Sequence, residues 1–186
     1  MSQESKKAKI TETVQIRLKD DGRFPNNQNH PVLIYRHIFS KHGDNLQDFS
    51  SEAAAIALER VFRQNDWEPA WRNGIYDYHH YHSTAHEVLG VYSGSAVIKV
   101  GGKEGSAIEI APGDVIIVPA GVSHILISSR DHLGVVGAYP IGQKPDLLMG
   151  DESDRPQADY NIAQVPEPPT DPVYGDSGKL TDIWPS

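Results

Sequence analysis

The stretch His79-His80-Tyr81-His82-Ser83-Thr84-Ala85-His86 packs four of the chain's nine histidines into eight residues. Side chains on a strand alternate faces, so His80 and His82 point one way while His79 and Tyr81 point the other. Two imidazoles on one face can chelate a metal. A short turn then leads into Glu87-Val88-Leu89-Gly90-Val91-Tyr92, where Glu87 begins a strand on the face that His80 and His82 look towards. Farther on, Val118 to Ser128 sets His124, Leu126 and Ser128 on one side of another strand. The chain has no cysteine, so thiolate ligands and disulfides are excluded. Imidazole and carboxylate without sulfur suit manganese, iron, cobalt, nickel, copper or zinc. A single histidine would read as an ordinary surface or core residue; the clustering on one strand face is what points to metal ligation. His132 follows Arg130-Asp131 and is assigned to a solvated turn.

The elements that must position these residues are legible as changes of pattern. Residues 1–30 mix charged and polar residues and read as an N-terminal arm, with a short strand at Val14–Leu18. Pro31 introduces VLIYRHIF, whose β-branched and aromatic content favours a strand. One helix is predicted over 51–63: Ala54, Leu58, Val61 and Phe62 fall on one face, Ser50 or Ser51 caps the start, and Glu59 and Arg63 form an i,i+4 pair. From Ile75 to Tyr139 short runs of Val, Ile and Tyr alternate with turn signals at Ser93-Gly94, Gly101-Gly102, Gly105 and Ala111-Pro112-Gly113. That spacing describes an all-β barrel or sandwich. Beyond Tyr139 lie eight of the 13 prolines, so regular strands cannot run through 141–186. Its Leu, Tyr, Val, Ile and Trp anchors predict an extended strap against the barrel or a neighbouring subunit.

Composition narrows the function classes. Seventeen basic against 25 acidic residues give a net charge of -8, which repels phosphate backbones and anionic lipid, so nucleic acid is excluded as an expected partner. No apolar run approaches the length that crosses a bilayer, and the N-terminus has no apolar leader core. A cytoplasmic protein without a membrane partner is expected. The length of 186 residues and the lack of an internal repeat predict one domain spanning 31–140 with the helix inside it.

The segment GIYDYHHYHSTAHEVLGVYSG (74–94) reads Gly, five residues, His-x-His, four residues, Glu, six residues, Gly. It resembles the first motif of the cupins without a gap. GDVIIVPAGVSHILIS (113–128) resembles the second motif, with Pro119, Gly121 and His124 in place and Ser128 where Asn is usual. Wording such as HYHSTAHEVLGVYSG, PAGVSH, GAYPIG and DPVYG is most similar to the YjlB-like branch of cupins, a likeness that supplies no substrate. By position, the resemblance implies that His80, His82, Glu87 and His124 bind one divalent transition metal (Fe, Mn, Ni or Zn). The second-motif Asn is not a ligand, so Ser128 leaves that set intact. The implied fold is an all-β double-stranded β-helix, a jelly-roll barrel with one N-terminal helix and an extended Pro-rich C-terminal segment. A homodimer is implied in the same way.

A complete ligand set implies a small-molecule enzyme of dioxygenase, decarboxylase or isomerase type. The alternative is a metal- or ligand-binding module without turnover, because the fold does not dictate catalysis. His86 precedes Glu87 and stands as an alternative ligand, an acid/base or a turn residue. Tyr76 and Tyr78 share the parity of His80 and His82 and, with His86, are the candidates for proton movement. Arg36 is the nearest candidate to clamp an anion. Between Ile75 and Ser129 the only Lys or Arg residues are Lys99 and Lys103, both at a hairpin end, so an oxygen-rich, non-phosphorylated substrate is expected.

Overall fold

The structure is a computed structural model that describes residues 12–39 and 50–184. Residues 1–11 of the expected arm and Pro185 lie outside the described residues. Among the described residues there are seven strands and three α-helices: β1 (Thr13–Ile16), β2 (Val32–Tyr35), α1 (Ser51–Gln64), β3 (Trp71–Asn73), β4 (Glu87–Val100), β5 (Ser106–Ile110), β6 (Val115–Val118), β7 (His124–Ala138), α2 (Gln157–Gln164) and α3 (Lys179–Ile183). All pairings between these strands are antiparallel.

The expected all-β jelly-roll barrel is corrected on two counts. The sheet is open, in the order β1-β2-β6-β4-β7-β3 with β5 added on β4, and its end strands β1 and β3 do not close on each other. The three helices make it a mixed α/β fold. The cause is visible in β2 and β6, whose VLIY and VIIV are buried at every position. Such runs belong to a sheet covered on both faces, and two faces need two partners. Val32, Ile34, Leu89, Ile116 and Val118 join one core; Leu33, Tyr35, Val88, Ile117 and Val136 join a second, with Leu58 and Phe62 of α1 and Leu180 of α3.

A turn is also expected at Ser93-Gly94, yet the chain runs through it as β4. The register against β7 slips between Val91 and Ser93 and again before Ser95, so the strand bulges and bends instead of ending. Gly94 permits this with φ 63°. A Cβ there would lie 2.6 Å from the Arg130 carbonyl oxygen.

α1 begins as its sequence demands, with Ser50 accepting a hydrogen bond from the Ala53 amide at 3.2 Å. The expected Glu59–Arg63 pair gives way to a tertiary one. Arg72 of β3 holds Glu59 at 2.6 Å and Glu52 at 2.8 Å, while Arg63 reaches Glu68 at 3.6 Å. These bonds fasten the edge strand β3 to the helix.

The C-terminal segment is not simply extended. Prolines flank α2 at 156 and 166 without interrupting it, and α3 follows the last described proline, Pro172. The segment docks through a buried polar knot. The Tyr35 hydroxyl donates to the Asp171 carboxylate, and the Leu180 amide donates to the Tyr35 oxygen at 3.0 Å. Asp171 also accepts from the amides of Val173 and Tyr174 at 2.8 and 3.0 Å. Burial, then the Asp171 charge, holds the Tyr35 phenol far above its ordinary pKa. Trp184 caps the arrangement by donating its indole N–H to the Pro31 carbonyl at 3.0 Å.

Asp171→Ala leaves the Tyr35 hydroxyl and two amides without their buried acceptor, so it should cost about 3 kcal/mol. Thermal unfolding should fall by roughly 6 to 12 °C, and Asp171→Asn should recover part of the loss. A melting temperature unchanged in Asp171→Ala would contradict the docking role.

Candidate functional site

Two backbone hydrogen bonds assemble the site. The His80 amide donates to the His124 carbonyl at 3.2 Å, and the His124 amide returns a bond to the His80 carbonyl at 2.9 Å. Tyr81 exchanges a similar pair with Leu148, at 2.9 and 3.0 Å. The His-x-His segment is therefore an extended strip laid between the start of β7 and the segment after Pro145. Its side chains alternate as extended backbone requires. His79 turns to Ser123, with Nδ1 2.7 Å from Oγ, and its ring sits 5.2 Å from that of Phe24. Tyr81 is buried beside Phe24 and Ala158. His80 and His82 face the other way, into a cavity of about 420 Å³.

The floor of this cavity collects His80, His82, Glu87 and His124. All four are at least nine-tenths buried. Each imidazole has its Nδ1 against a main-chain carbonyl: His80 on Tyr78 at 3.3 Å, His82 on Asp146, and His124 on Val122 at 3.2 Å. A carbonyl accepts only from an N–H, so Nδ1 carries the proton and Nε2 faces the cavity side. His82 Nε2 lies 3.6 Å and His124 Nε2 3.3 Å from the two Glu87 oxygens. The His80 and His124 rings are 4.1 Å apart, centroid to centroid.

Charge at the floor is set by this proximity. Burial raises the Glu87 carboxyl, but His124 and His82 outweigh it and hold the group well below the usual carboxylate range. Burial depresses the His82 imidazolium, yet the Glu87 carboxylate overcomes that and raises its pKa. His80 lacks such a partner. Burial, then the neighbouring His124, lowers it to about 3.

A preassembled metal cluster is an expectation that the structure corrects. Among the described residues, no group of three or more histidine, cysteine, aspartate or glutamate side chains is arranged to hold a metal ion. The physical reason lies in the contacts: His82 and His124 turn Nε2 onto the Glu87 oxygens, so the donors face one another and not a common centre.

The candidate acid/base residues separate. Tyr76 lines the mouth at 44% exposure, and Tyr78 stacks on it at 4.9 Å and 14°. Both rings stand against His80, at 5.0 and 5.7 Å. His86 turns away from this cavity. It accepts the Ala120 amide on Nδ1 at 3.0 Å and packs 4.9 Å from Trp184. Burial, then His30, lowers it to about 3. Arg36 is distant as well, paired with Asp114 at 2.6 Å beside a different cavity.

Trp71, Tyr139 and Asp146 are among the lining residues that escape the motif reading. Asp146 carries a mechanical load. Its carboxylate accepts from the Ser83 amide at 2.6 Å and from the Ser83 hydroxyl, while its amide donates to Thr84 Oγ1 at 3.0 Å. Its own carbonyl holds His82 Nδ1. No spacing in the sequence links positions 83 and 146, so only the fold reveals this clasp.

The fold and the floor of histidines and glutamate define a class. Residues 72–132 match the family model described as Cupin domain, and with the relative that follows, the chain belongs to the cupin family. That relative is "Uncharacterized protein YjlB" of Bacillus subtilis (strain 168), 36% identical over 165 residues, covering 89% of this chain and 92% of its own length. Among solved structures, an acireductone dioxygenase from Bacillus anthracis with cadmium in its active centre aligns at TM-score 0.38 and 17% identity. It covers 62% of this chain and 82% of its own. RmlC from Streptococcus suis aligns at 0.34 and 14%, covering 94% and 96%. A 7S globulin from Momordica charantia aligns at 0.35 and 22%, covering 42% and 25%. Likenesses this loose carry no functional argument. Among the described residues no helix is long and apolar enough to cross a membrane.

Asp146→Ala should cost about 1 to 3 kcal/mol and release the segment around Leu148. Amide hydrogen exchange at Tyr81 and Leu148 should speed up while exchange in β2 and β6 stays slow. Unchanged protection at Tyr81 would show that the clasp does not hold the His-x-His strip.

Proposed function

We propose that this cupin is a metal-dependent enzyme acting on a small, oxygen-rich, non-phosphorylated molecule by dioxygenase, decarboxylase or isomerase chemistry. His80, His82, Glu87 and His124 would hold one divalent ion of iron, manganese, nickel or zinc. The observation that carries the reading is the shared orientation of the imidazoles. Three Nδ1 atoms are spent on main-chain carbonyls, which leaves three Nε2 atoms on the side of a buried carboxylate. A buried carboxylate calls for positive charge beside it. Donors about 2.1 Å from a shared ion and at right angles stand about 3 Å apart, so His82 and His124, now 3.6 and 3.3 Å from the Glu87 oxygens, would have to turn Nε2 off that carboxylate and toward a common centre to hold one. An ion there would replace the proton that Glu87 draws onto His82. A bound metal would supply a positive centre able to take a substrate oxygen and steady charge that develops on it.

The chain's own residues favour an uncharged or weakly charged guest. Arg72 is the only Lys or Arg among the described residues lining the cavity. Its guanidinium is occupied by Glu59 and Glu52, on the helix side. A phosphate would therefore meet Glu87 and Asp146 without a free arginine or lysine beside it. Tyr76 is placed at the mouth to reach a bound molecule with its hydroxyl.

A second reading has its own support. His82 and His124 already satisfy themselves on Glu87, a closed arrangement compatible with a ligand-binding cupin that turns nothing over.

Elemental analysis of protein made in defined medium with each metal supplied should find close to one ion per chain. His80→Ala combined with His124→Ala should lower that at least tenfold while the fold is retained. Folded protein that takes up no ion under any supply would remove the metal from the proposal, and ligand capture without turnover would establish the second reading.

A further inference from the structure

The rim of the cavity carries a peptide bond with a chemistry of its own. Asn73-Gly74 is the only Asn-Gly pair in the chain. It stands where β3 ends and the loop to the His-x-His strip begins. Both residues are exposed, and both line the cavity. The Gly74 amide donates to Asn73 Oδ1 at 2.8 Å, so the carboxamide is folded back onto the main-chain nitrogen that follows it. Asn26, Asn27, Asn65 and Asn161 are held otherwise. Each donates its carboxamide nitrogen to an oxygen far off in the sequence: the carbonyls of Gly101, Ala120 and Pro172 and the Ser83 hydroxyl, in that order.

A main-chain nitrogen beside an asparagine carboxamide can close a five-membered ring on it. The Gly74 nitrogen gives up its proton and bonds to Asn73 Cγ. The bond from Cγ to the carboxamide nitrogen breaks, and that nitrogen leaves with the proton as ammonia. Water then opens the cyclic imide at either of its two carbonyl carbons. Opening at Cγ gives aspartate; opening at the main-chain carbon gives isoaspartate, in which the chain runs through the former side chain. Water is the sole co-reactant, and nothing is oxidised or reduced. Ring closure needs a main-chain rotation that a side chain on the following residue hinders, and glycine presents none. The surroundings leave room for it, since a Cβ at Gly74 would meet nothing within 4 Å.

From this geometry we propose that Asn73 is a site of spontaneous deamidation in the folded protein, which turns a neutral residue of the cavity rim into a carboxylate. The neighbouring Arg72 spends its guanidinium on Glu59 and Glu52. The new charge therefore joins Glu87 and Asp146 on the lining without a free arginine or lysine beside it. The isoaspartate form also adds a methylene to the chain between Asn73 and Gly74, at the residue that pairs with Val135. Because β3 is an end strand of the sheet, the loosening stays at that edge. The modification depends on neither the metal nor the substrate proposed above.

The test follows folded full-length protein over weeks at neutral and mildly alkaline pH by peptide mapping with mass spectrometry. The amide-to-acid mass change should accumulate at Asn73 about tenfold or more faster than at Asn26, Asn27, Asn65 and Asn161, whose side chains the fold restrains. It should quicken as pH rises, because the Gly74 nitrogen must lose its proton. The product should resolve into two forms, one of them a substrate for protein isoaspartyl methyltransferase. Gly74→Ala, which the open surroundings admit, should slow the reaction about tenfold while thermal unfolding stays that of the wild type. In the isoaspartate form, separated by ion exchange, the Val135 amide should exchange faster while β2 and β6 stay slow. Asn73 intact after the other asparagines have reacted would overturn the proposal. So would reaction confined to protein unfolded in urea, or folded Gly74→Ala that deamidates as fast as the wild type. Unchanged exchange at Val135 would overturn the loosening of β3.

Discussion

Two hydrogen bonds between the main chains of His80 and His124 join the halves of this molecule that matter. The residues stand 44 positions apart, yet their amides and carbonyls are exchanged as neighbours on adjacent strands. Everything at the cavity floor follows from that exchange. It sets the two rings 4.1 Å apart, and it fixes the parity that sends His80 and His82 inward and His79 and Tyr81 outward. A slip of one residue in this bridge would reverse every side chain on the strip and bury the wrong histidine. Flanking bonds, from Leu126 to the Tyr76 carbonyl at 2.8 Å and from Gly121 to the His82 carbonyl at 2.8 Å, lock the register on both sides.

The second constraint is the carboxylate. Glu87 is 3% exposed and begins β4 at the bottom of the cavity. An ionised group in that place is tolerable only beside positive charge or good donors. The two histidines supply it by tilting onto its oxygens. This balance links the chemistry to the wider fold, because the His82 ring is itself oriented by the Asp146 carbonyl and Asp146 is clasped to Ser83 and Thr84. The C-terminal half of the chain thus reaches the floor through one loop. It is anchored at its far end by the Asp171, Tyr35 and Leu180 knot on the opposite face of the sheet.

How much of this the sequence discloses depends on how local the cause is. The start of α1, the burial of Leu58 and Phe62 and the alternation around His80 are set by neighbours within a few positions, and they are readable. The open sheet is not, because VLIY and VIIV look alike in a barrel wall and in a sheet covered on both faces; the cover comes from α1 and from α3 more than a hundred residues later. Ser93-Gly94 has the composition of a turn, but a bulge also wants glycine at positive φ. The tail's prolines suggest an extended strap, whereas they in fact bracket helices. Glu59 lies four residues from Arg63, the natural partner by helix geometry, and Arg72 takes it through a tertiary contact that no periodicity announces. Trp71, Tyr139 and Asp146 are hidden for the same reason. Each belongs to the cavity only through strand pairing or a loop contact, and none lies inside a spaced motif.

Binding of a cation as proposed would require His82 and His124 to release the Glu87 oxygens and turn Nε2, with His80, to one shared ion. Anomalous diffraction from crystals of manganese- or zinc-loaded protein tests this most directly. One strong anomalous peak is expected at the cavity floor, within about 2.3 Å of Nε2 of His80, His82 and His124 and of a Glu87 oxygen. A well-ordered site with Glu87 still paired to His82 and His124 and no anomalous density between them would contradict it.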